Sequence, residues 1–203
     1  MTCLLIVDVQ NDFCPGGALA VPNGDQIIDK INALIPKFDI VIQTQDWHPA
    51  DHTSFASNHP GKEPMDTTQM EYGEQVLWPD HCIQGTKGAE FHPDLVTRPT
   101  QSIIRKGYRK DIDSYSAFYE NDHQTPTGLT GYLNNRKVTK IVVTGLATDF
   151  CVKWTVLDGI KEGFKLEIVE DAVRGIDVEG SLDQAWQEMS DAGVQISNVS
   201  SYK

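Results

Sequence analysis

The chain has no apolar run long enough to cross a bilayer, which takes about 18 consecutive apolar residues. Its first candidate, residues 3–7, is stopped by Asp8. No basic leader precedes that run, so it does not read as a secretory signal. Cysteine is scarce: Cys3, Cys14, Cys82 and Cys151 are all there is. Without a secretory signal, four cysteines in 203 residues point to reduced thiols rather than a disulfide framework. A cytoplasmic protein with no membrane partner is expected. Basic residues are short as well: 17 Lys and Arg against 29 Asp and Glu leave a formal net charge of −12. No basic cluster offsets that field, so nucleic acid is not an expected partner. Internal repeats, low-complexity tracts and linker-like composition are also missing. A single domain over residues 1–203 is expected, large enough to bury a real core.

What is present is an alternation of strand and helix patterns. Residues 3–7 (CLLIV) are a continuous apolar run, as in a strand buried on both faces. Residues 12–24 carry Pro15, Gly16, Gly17, Pro22 and Gly24 and read as a loop. Ile27, Ile28, Ile31, Leu34 and Ile35 follow at helical spacing, with Asn23 or Asp25 as the expected cap. Residues 39–44, 102–106 and 141–143 read as the next three strands, the last closed by Gly145. A helix over 150–162, a strand over 166–169, a helix over 181–192 and a strand over 194–198 complete the pass. Such alternation predicts parallel strands joined by helical crossovers. The expected fold is a three-layer α/β/α sandwich around a mostly parallel, six-stranded sheet. Residues 47–100 break the pattern, being rich in Pro, His and Asp with little apolar periodicity. A long irregular segment inside a compact domain is commonly functional or mobile.

In open parallel sheets, ligands bind beyond the carboxyl ends of the strands. Asp8 ends the first predicted strand, Asp46-Trp47-His48 the second and Lys106 the third. The fourth runs into Gly145-Leu146-Ala147-Thr148-Asp149-Phe150-Cys151, which opens a helix. Four strands thus deliver an acid, an Asp/His pair, a lysine and a cysteine to one edge. Cys151, near a helix N-terminus, is a candidate nucleophile, because free N–H groups and the helix dipole favour a thiolate and can hold an oxyanion. Asp8 is placed to accept its proton and Lys106 to offset the resulting charge. A structural cysteine, a strand-end cap and a solvated lysine are the plain alternatives.

Asp46 and His48 are two apart, so in an extended segment both side chains reach one ion. His81 is the best third ligand, with His52, His59 and His92 competing and Asp80 as a possible support for the His81 ring. An Asp/His₂ set suits Zn²⁺, and also Mn²⁺ or Fe²⁺, and leaves positions open for water or substrate. A loop whose histidines merely bond to backbone is the alternative.

The residues just named fall within longer stretches: 5–19 (LIVDVQNDFCPGGAL), Asp46-Trp47-His48-Pro49 with His52, Ser54, Phe55 and Ala56, 78–82 (WPDHC), Lys106-Gly107, 113–118 (DSYSAF) and 145–152 (GLATDFCV). In these stretches, which lie in family order over nearly the whole chain, the sequence resembles the bacterial nicotinamidases (pyrazinamidases) of the isochorismatase-like cysteine hydrolase superfamily. The resemblance implies an amidohydrolase that converts nicotinamide and water to nicotinic acid and ammonia in NAD salvage. It implies Cys151 as nucleophile, Asp8 as general base and Lys106 as the third triad member. It implies a cis Leu146–Ala147 peptide and an oxyanion hole from the N–H groups of Ala147 and Cys151. Asp46, His48 and His81 match metal ligands, and the rest of the shell stays open, with His52 and Ser54 as weak candidates. Phe13, Trp78 and Tyr115 match aromatic positions around a pyridine ring, and pyrazinamide is an expected secondary substrate. The superfamily's isochorismate hydrolases lack the nucleophilic cysteine, so Cys151 argues against that branch. Carbamoyl amides lack a ring nitrogen for the metal set, and a pure binding protein has no use for the triad.

Overall fold

The structure, a computed structural model, describes residues 1–203. Its centre is β1 (Thr2–Val7), whose side chains from Cys3 onward are buried on both faces. Cys3, Leu5 and Val7 point into one apolar cluster, and Leu4 and Ile6 into the other. That is why the run is continuous rather than alternating: neither face meets water. β2 (Ile40–Asp46) and β6 (Lys140–Leu146) flank it in parallel. β5 (Ser102–Lys106), β7 (Lys165–Arg174) and β8 (Gln195–Ser197) extend the sheet outward. The order is β5-β2-β1-β6-β7-β8, and every pairing is parallel.

Helix α1 (Ile28–Leu34) covers one face with Ile28, Ile31 and Leu34. The other face is covered by α2 (Leu129–Asn135), α3 (Lys153–Lys161) and α4 (Ser181–Asp191), through Leu129, Leu133, Val156, Ala185 and Met189. The expected α/β/α layering and six-stranded sheet are therefore present. None of these helices is long and apolar enough to cross a membrane. All four cysteines are buried free thiols.

Several boundaries differ from expectation. Strands β2, β6 and β7 run further than their apolar cores, because polar residues such as Gln45, Asp46 and Thr144 remain paired in the ladder. Asn23 does not cap α1 with its side chain: it adopts a left-handed conformation, and a 3₁₀ turn (Gly24–Ile27) leads in. The helix expected from residue 150 begins at Lys153, after a single π-helical turn (Thr148–Val152). The irregular stretch contains a small antiparallel hairpin, β3 (Thr67–Met70) and β4 (Gly73–Val76).

One glycine shapes the edge where the site forms. Gly145 has φ +113°, and a Cβ there would lie 2.0 Å from the Val7 carbonyl oxygen. Only glycine lets β6 press so closely on β1. The β6–β7 register shifts between Val143 and Gly145, which re-aims the chain into the turn bearing Cys151.

Candidate active site

The carboxyl edge brings Asp8, Lys106 and Cys151 together. Lys106 ends β5 and is fully buried, a position a lysine takes only when paired. Its Nζ lies 2.8 Å from Asp8 Oδ2, and it donates to Asp46 Oδ1, to the Ser114 carbonyl at 3.0 Å and toward Cys151 Sγ at 3.3 Å. The two carboxylates hold the ammonium well above its ordinary pKa despite burial, so it stays charged. Asp8 follows the last residue of β1 with φ +48°, and Thr44 of β2 fixes it by accepting its N–H and donating to Oδ1 at 2.6 Å. Burial lifts the Asp8 carboxyl to about 6 against the pull of Lys106, with Asp46 adding to the rise. An oxygen of Asp8 and Sγ of Cys151 lie within 4.8 Å of each other.

Cys151 sits in the π-helical turn immediately before α3, near the helix N-terminus as expected. Burial pushes its thiol pKa well above the ordinary value, and Lys106 is the group that opposes this. The Leu146–Ala147 peptide is cis, and the Ala147 N–H has no backbone partner.

Asp46, His48 and His81 place one ligand atom each within 4.8 Å of one another. His48 Nδ1 bonds to the Gly107 carbonyl and His81 Nδ1 to the Pro79 carbonyl, both at 2.8 Å. Each ring therefore carries its proton on Nδ1 and turns the Nε2 lone pair toward Asp46 Oδ2, at 3.6 and 3.9 Å. His48 Nε2 is buried without any hydrogen-bond partner. Three convergent acceptors around an orphaned lone pair, with both rings oriented by carbonyls, fit a divalent cation. Gly107 is needed here: a Cβ would stand 2.3 Å from the His48 ring.

The other candidates fall elsewhere. His52 Nδ1 accepts from Ser54 Oγ at 2.8 Å and from the Ser54 N–H, and its Nε2 faces the Ile112 carbonyl at 3.3 Å. Both nitrogens are thus engaged within the chain, although His52 also clusters with His48 and Asp113. His59 bonds to the Thr53 carbonyl, and His92 lies beside Asp94. Asp80 does not support His81; it accepts from Ser57 Oγ, and the Pro79 carbonyl orients the ring instead.

A narrow cavity opens over both groups. Phe13, Trp78 and Tyr115 line it, as expected, together with Asp46, His81, Ala147 and Cys151. Trp78 meets Phe150 edge-on with centroids 4.9 Å apart, and Tyr115 meets Phe150 at 5.7 Å. The Tyr115 hydroxyl accepts from Trp78 Nε1 at 3.1 Å and Gln75 Nε2 at 2.8 Å, which locks the two rings together. Such a slot suits a flat aromatic ligand.

A model of the isochorismatase domain matches residues 2–201. The chain belongs to the isochorismatase family. It is 56% identical to the nicotinamidase of Acinetobacter baylyi over 192 residues, covering 95% of this chain and 90% of that one. The solved Acinetobacter baumanii nicotinamidase/pyrazinamidase superposes with a TM-score of 0.97 at 57% identity, over 98% of this chain and 97% of that one. A pyrazinamidase of Pyrococcus horikoshii, solved in complex with zinc, gives a TM-score of 0.80 at 37% identity, over 97% and 98% of the two chains.

Within this family site, sequence reasoning overlooked Thr44 as the anchor of Asp8, Gln10 as the anchor of Asp46, and Leu19, Phe150 and Ile176 as cavity walls. The Gln10 side chain accepts the Asp46 N–H and donates to the Asp46 carbonyl, both at 2.8 Å. Thr44 lies on the same edge, two residues before Asp46, and the register of β1 against β2 was the signal that could have found it.

Proposed function

We propose that this protein is a nicotinamidase that hydrolyses nicotinamide to nicotinic acid and ammonia, with pyrazinamide as a secondary substrate. The observation that carries the reading is the buried thiol of Cys151, in reach of Asp8 and Lys106, beneath an aromatic slot. The named activity of its relatives in the family supports it. The chain acts as one domain over residues 1–203, and its work is cytoplasmic.

Asp46, His48 and His81 hold the metal, and Zn²⁺ suits this donor set. When bound, such an ion supplies a Lewis acid that can anchor a ring nitrogen. Phe13, Trp78, Tyr115 and Phe150 enclose the flat ring and exclude water, leaving the carboxamide aimed at Cys151. Asp8 takes the thiol proton as sulfur attacks the amide carbon. The N–H groups of Ala147 and Cys151 stabilise the oxyanion. The C–N bond then breaks, and Asp8 passes its proton to nitrogen, so ammonia leaves and a thioester remains. Water attacks that thioester with Asp8 again as base. The C–S bond breaks and the thiol regains its proton from Asp8. Lys106 keeps the two carboxylates together and balances charge at sulfur.

The test is ammonia release from nicotinamide by purified zinc-loaded protein beside Cys151→Ala. Release by the wild type, with loss of at least about 10³-fold in the folded variant, is expected. No release by the wild type, or full turnover by Cys151→Ala, overturns the proposal.

A further inference from the structure

The loop between β7 and α4 is folded around a carboxylate from another part of the chain. Asp149 Oδ1 accepts the Ile176 N–H at 3.0 Å, and Oδ2 accepts the Asp177 N–H at 2.8 Å and the Ser181 hydroxyl. Ser181 Oγ also accepts the Val178 N–H at 2.9 Å. Asp149 is buried, and three donors on one buried carboxylate are charge-assisted bonds, roughly twice as strong as neutral ones. The loop takes an uncommon shape to make them: Asp177 and Glu179 have φ of +60° and +50°. Gly175 is pinned as well, because a Cβ there would lie 2.6 Å from Leu182 Cδ1 and 3.1 Å from Asp149 Oδ1.

Two consequences meet at this carboxylate. Ile176 lines the cavity and is the only wall residue that lies beyond Cys151 in the chain. Asp149 itself belongs to the π-helical turn that presents Phe150 and Cys151. One side chain therefore ties a cavity wall to the nucleophile's own turn. Ile176 is the loop's one residue in the cavity wall; its side chain packs against the core cluster, and its backbone N–H is held by the latch.

We propose that Asp149 is a positioning residue for ring recognition: it clamps Ile176 against the cavity and so sets the size of ring the enzyme accepts. The substrate class rests on the nicotinamidase reading above, whereas the latch itself does not. A released wall leaves the reacting groups in place but loosens the grip on the ring. The loss should therefore fall on KM more than on kcat, and on small rings more than large ones.

The experiment compares wild type, Asp149→Ala, Ser181→Ala and Ile176→Ala by two readouts. In the first, kcat and KM are measured for nicotinamide and for a ring-methylated nicotinamide. Asp149→Ala is expected to raise KM for nicotinamide about tenfold, to change kcat by less than about threefold, and to narrow the preference over the methylated amide. Ile176→Ala is expected to narrow that preference similarly, and Ser181→Ala to move it the same way by less. In the second readout, which needs no turnover, peptide mass spectrometry follows modification of Cys151 by iodoacetamide and by the bulkier N-phenylmaleimide. Loosening the wall is expected to raise the rate ratio of bulky to small reagent about tenfold in Asp149→Ala. If wild type releases no ammonia, the substrate reading falls and the alkylation ratio still decides the latch. An unchanged ratio in Asp149→Ala, or equal losses in kcat and KM, overturns the proposal. Should Asp149→Ala fail to fold, Ser181→Ala, which removes one of the three donors to Asp149 and the acceptor of the Val178 N–H, decides by the same ratio.

Discussion

Around Asp8 every charge has a partner inside the chain, whereas within 4.8 Å, around Asp46, the lone pairs face one another. The first group closes on itself: Lys106 meets two carboxylates, a thiol and a carbonyl. The second gathers two imidazole nitrogens and a carboxylate oxygen with no donor among them. A set of acceptors alone is stable in a dry interior only beside a cation. The difference separates a catalytic group, which must hold and pass a proton, from a binding group, which must stay unprotonated. Asp46 belongs to both, with Oδ1 on Lys106 and Oδ2 toward the histidines. That shared residue couples the two halves, and the coupling can be tested from either side.

The largest effect is expected from removing the cation of the closed half. Lys106→Met keeps much of the apolar stem and deletes the ammonium. Asp8 and Asp46 are then two buried carboxylates with no countercharge, and one of them must take up a proton. Breaking a buried ion pair by removing one partner costs about 3–5 kcal/mol. Urea denaturation of Lys106→Met should show a loss of that size, and ammonia release should fall by at least about 10²-fold. Stability within about 1 kcal/mol of wild type would mean that Lys106 is not the keystone of the closed half.

The open half should respond differently to the loss of one ligand. His81→Ala leaves the Asp8–Lys106–Cys151 contacts untouched. It is expected to lower bound zinc below one per chain and to erase the stabilisation that zinc gives the wild type. That stabilisation is about 2.7 kcal/mol when free metal is a hundredfold above its Kd. Elemental analysis and thermal denaturation with and without zinc check both points. Full zinc content in the variant would remove His81 from the set.

How much of this contrast was legible in the sequence differs between the halves. The closed half lies at the ends of strands, of which residues 3–7 are an uninterrupted apolar run and Ser102–Lys106 a weaker one with two isoleucines, so their polar terminal residues can be counted off directly. The open half needs His81, which lies 35 residues after Asp46 in a segment with no apolar period. That segment buries apolar residues at irregular spacing, among them Trp78, Cys82, Ala89 and Leu95, and side-chain hydrogen bonds pin it further. Asp12 accepts the Cys82 N–H at 2.7 Å, and Gln10 and Gln45 both donate to the Ala89 carbonyl at 2.9 Å. Such pins leave no periodicity, so the residues alone offered His81 as the best third ligand with His52, His59 and His92 still competing, and the family resemblance then matched it. The β3–β4 hairpin was invisible for a related reason: TTQM and GEQV are mostly polar, and only Gln75 among them is buried. Helix α2 was hidden by Gly131 and two asparagines in a seven-residue stretch. The π-helical turn at Cys151 has no residue pattern distinct from a helix start, so the helix boundary was read three residues early.

The smallest effect, and the sharpest for the coupling, concerns the proton on Asp8. As a base, Asp8 works only when ionised, so activity is present above its pKa and is lost as pH falls through it. In the metal-free chain that carboxyl titrates at about 6, raised by burial and, in smaller part, by the negative charge of Asp46. A cation on Asp46, His48 and His81 adds positive charge close by and favours the ionised form. The Asp8 midpoint should therefore move down when zinc binds, and the acid limb of kcat/KM should lie below pH 6 in loaded enzyme. The midpoint can be read from the carboxyl stretch in difference infrared spectra of wild type against Asp8→Asn, with and without zinc. His81→Ala should abolish the zinc-dependent shift while leaving the metal-free midpoint near 6. A midpoint that ignores zinc in the wild type would mean that the two halves share Asp46 in space but not in charge.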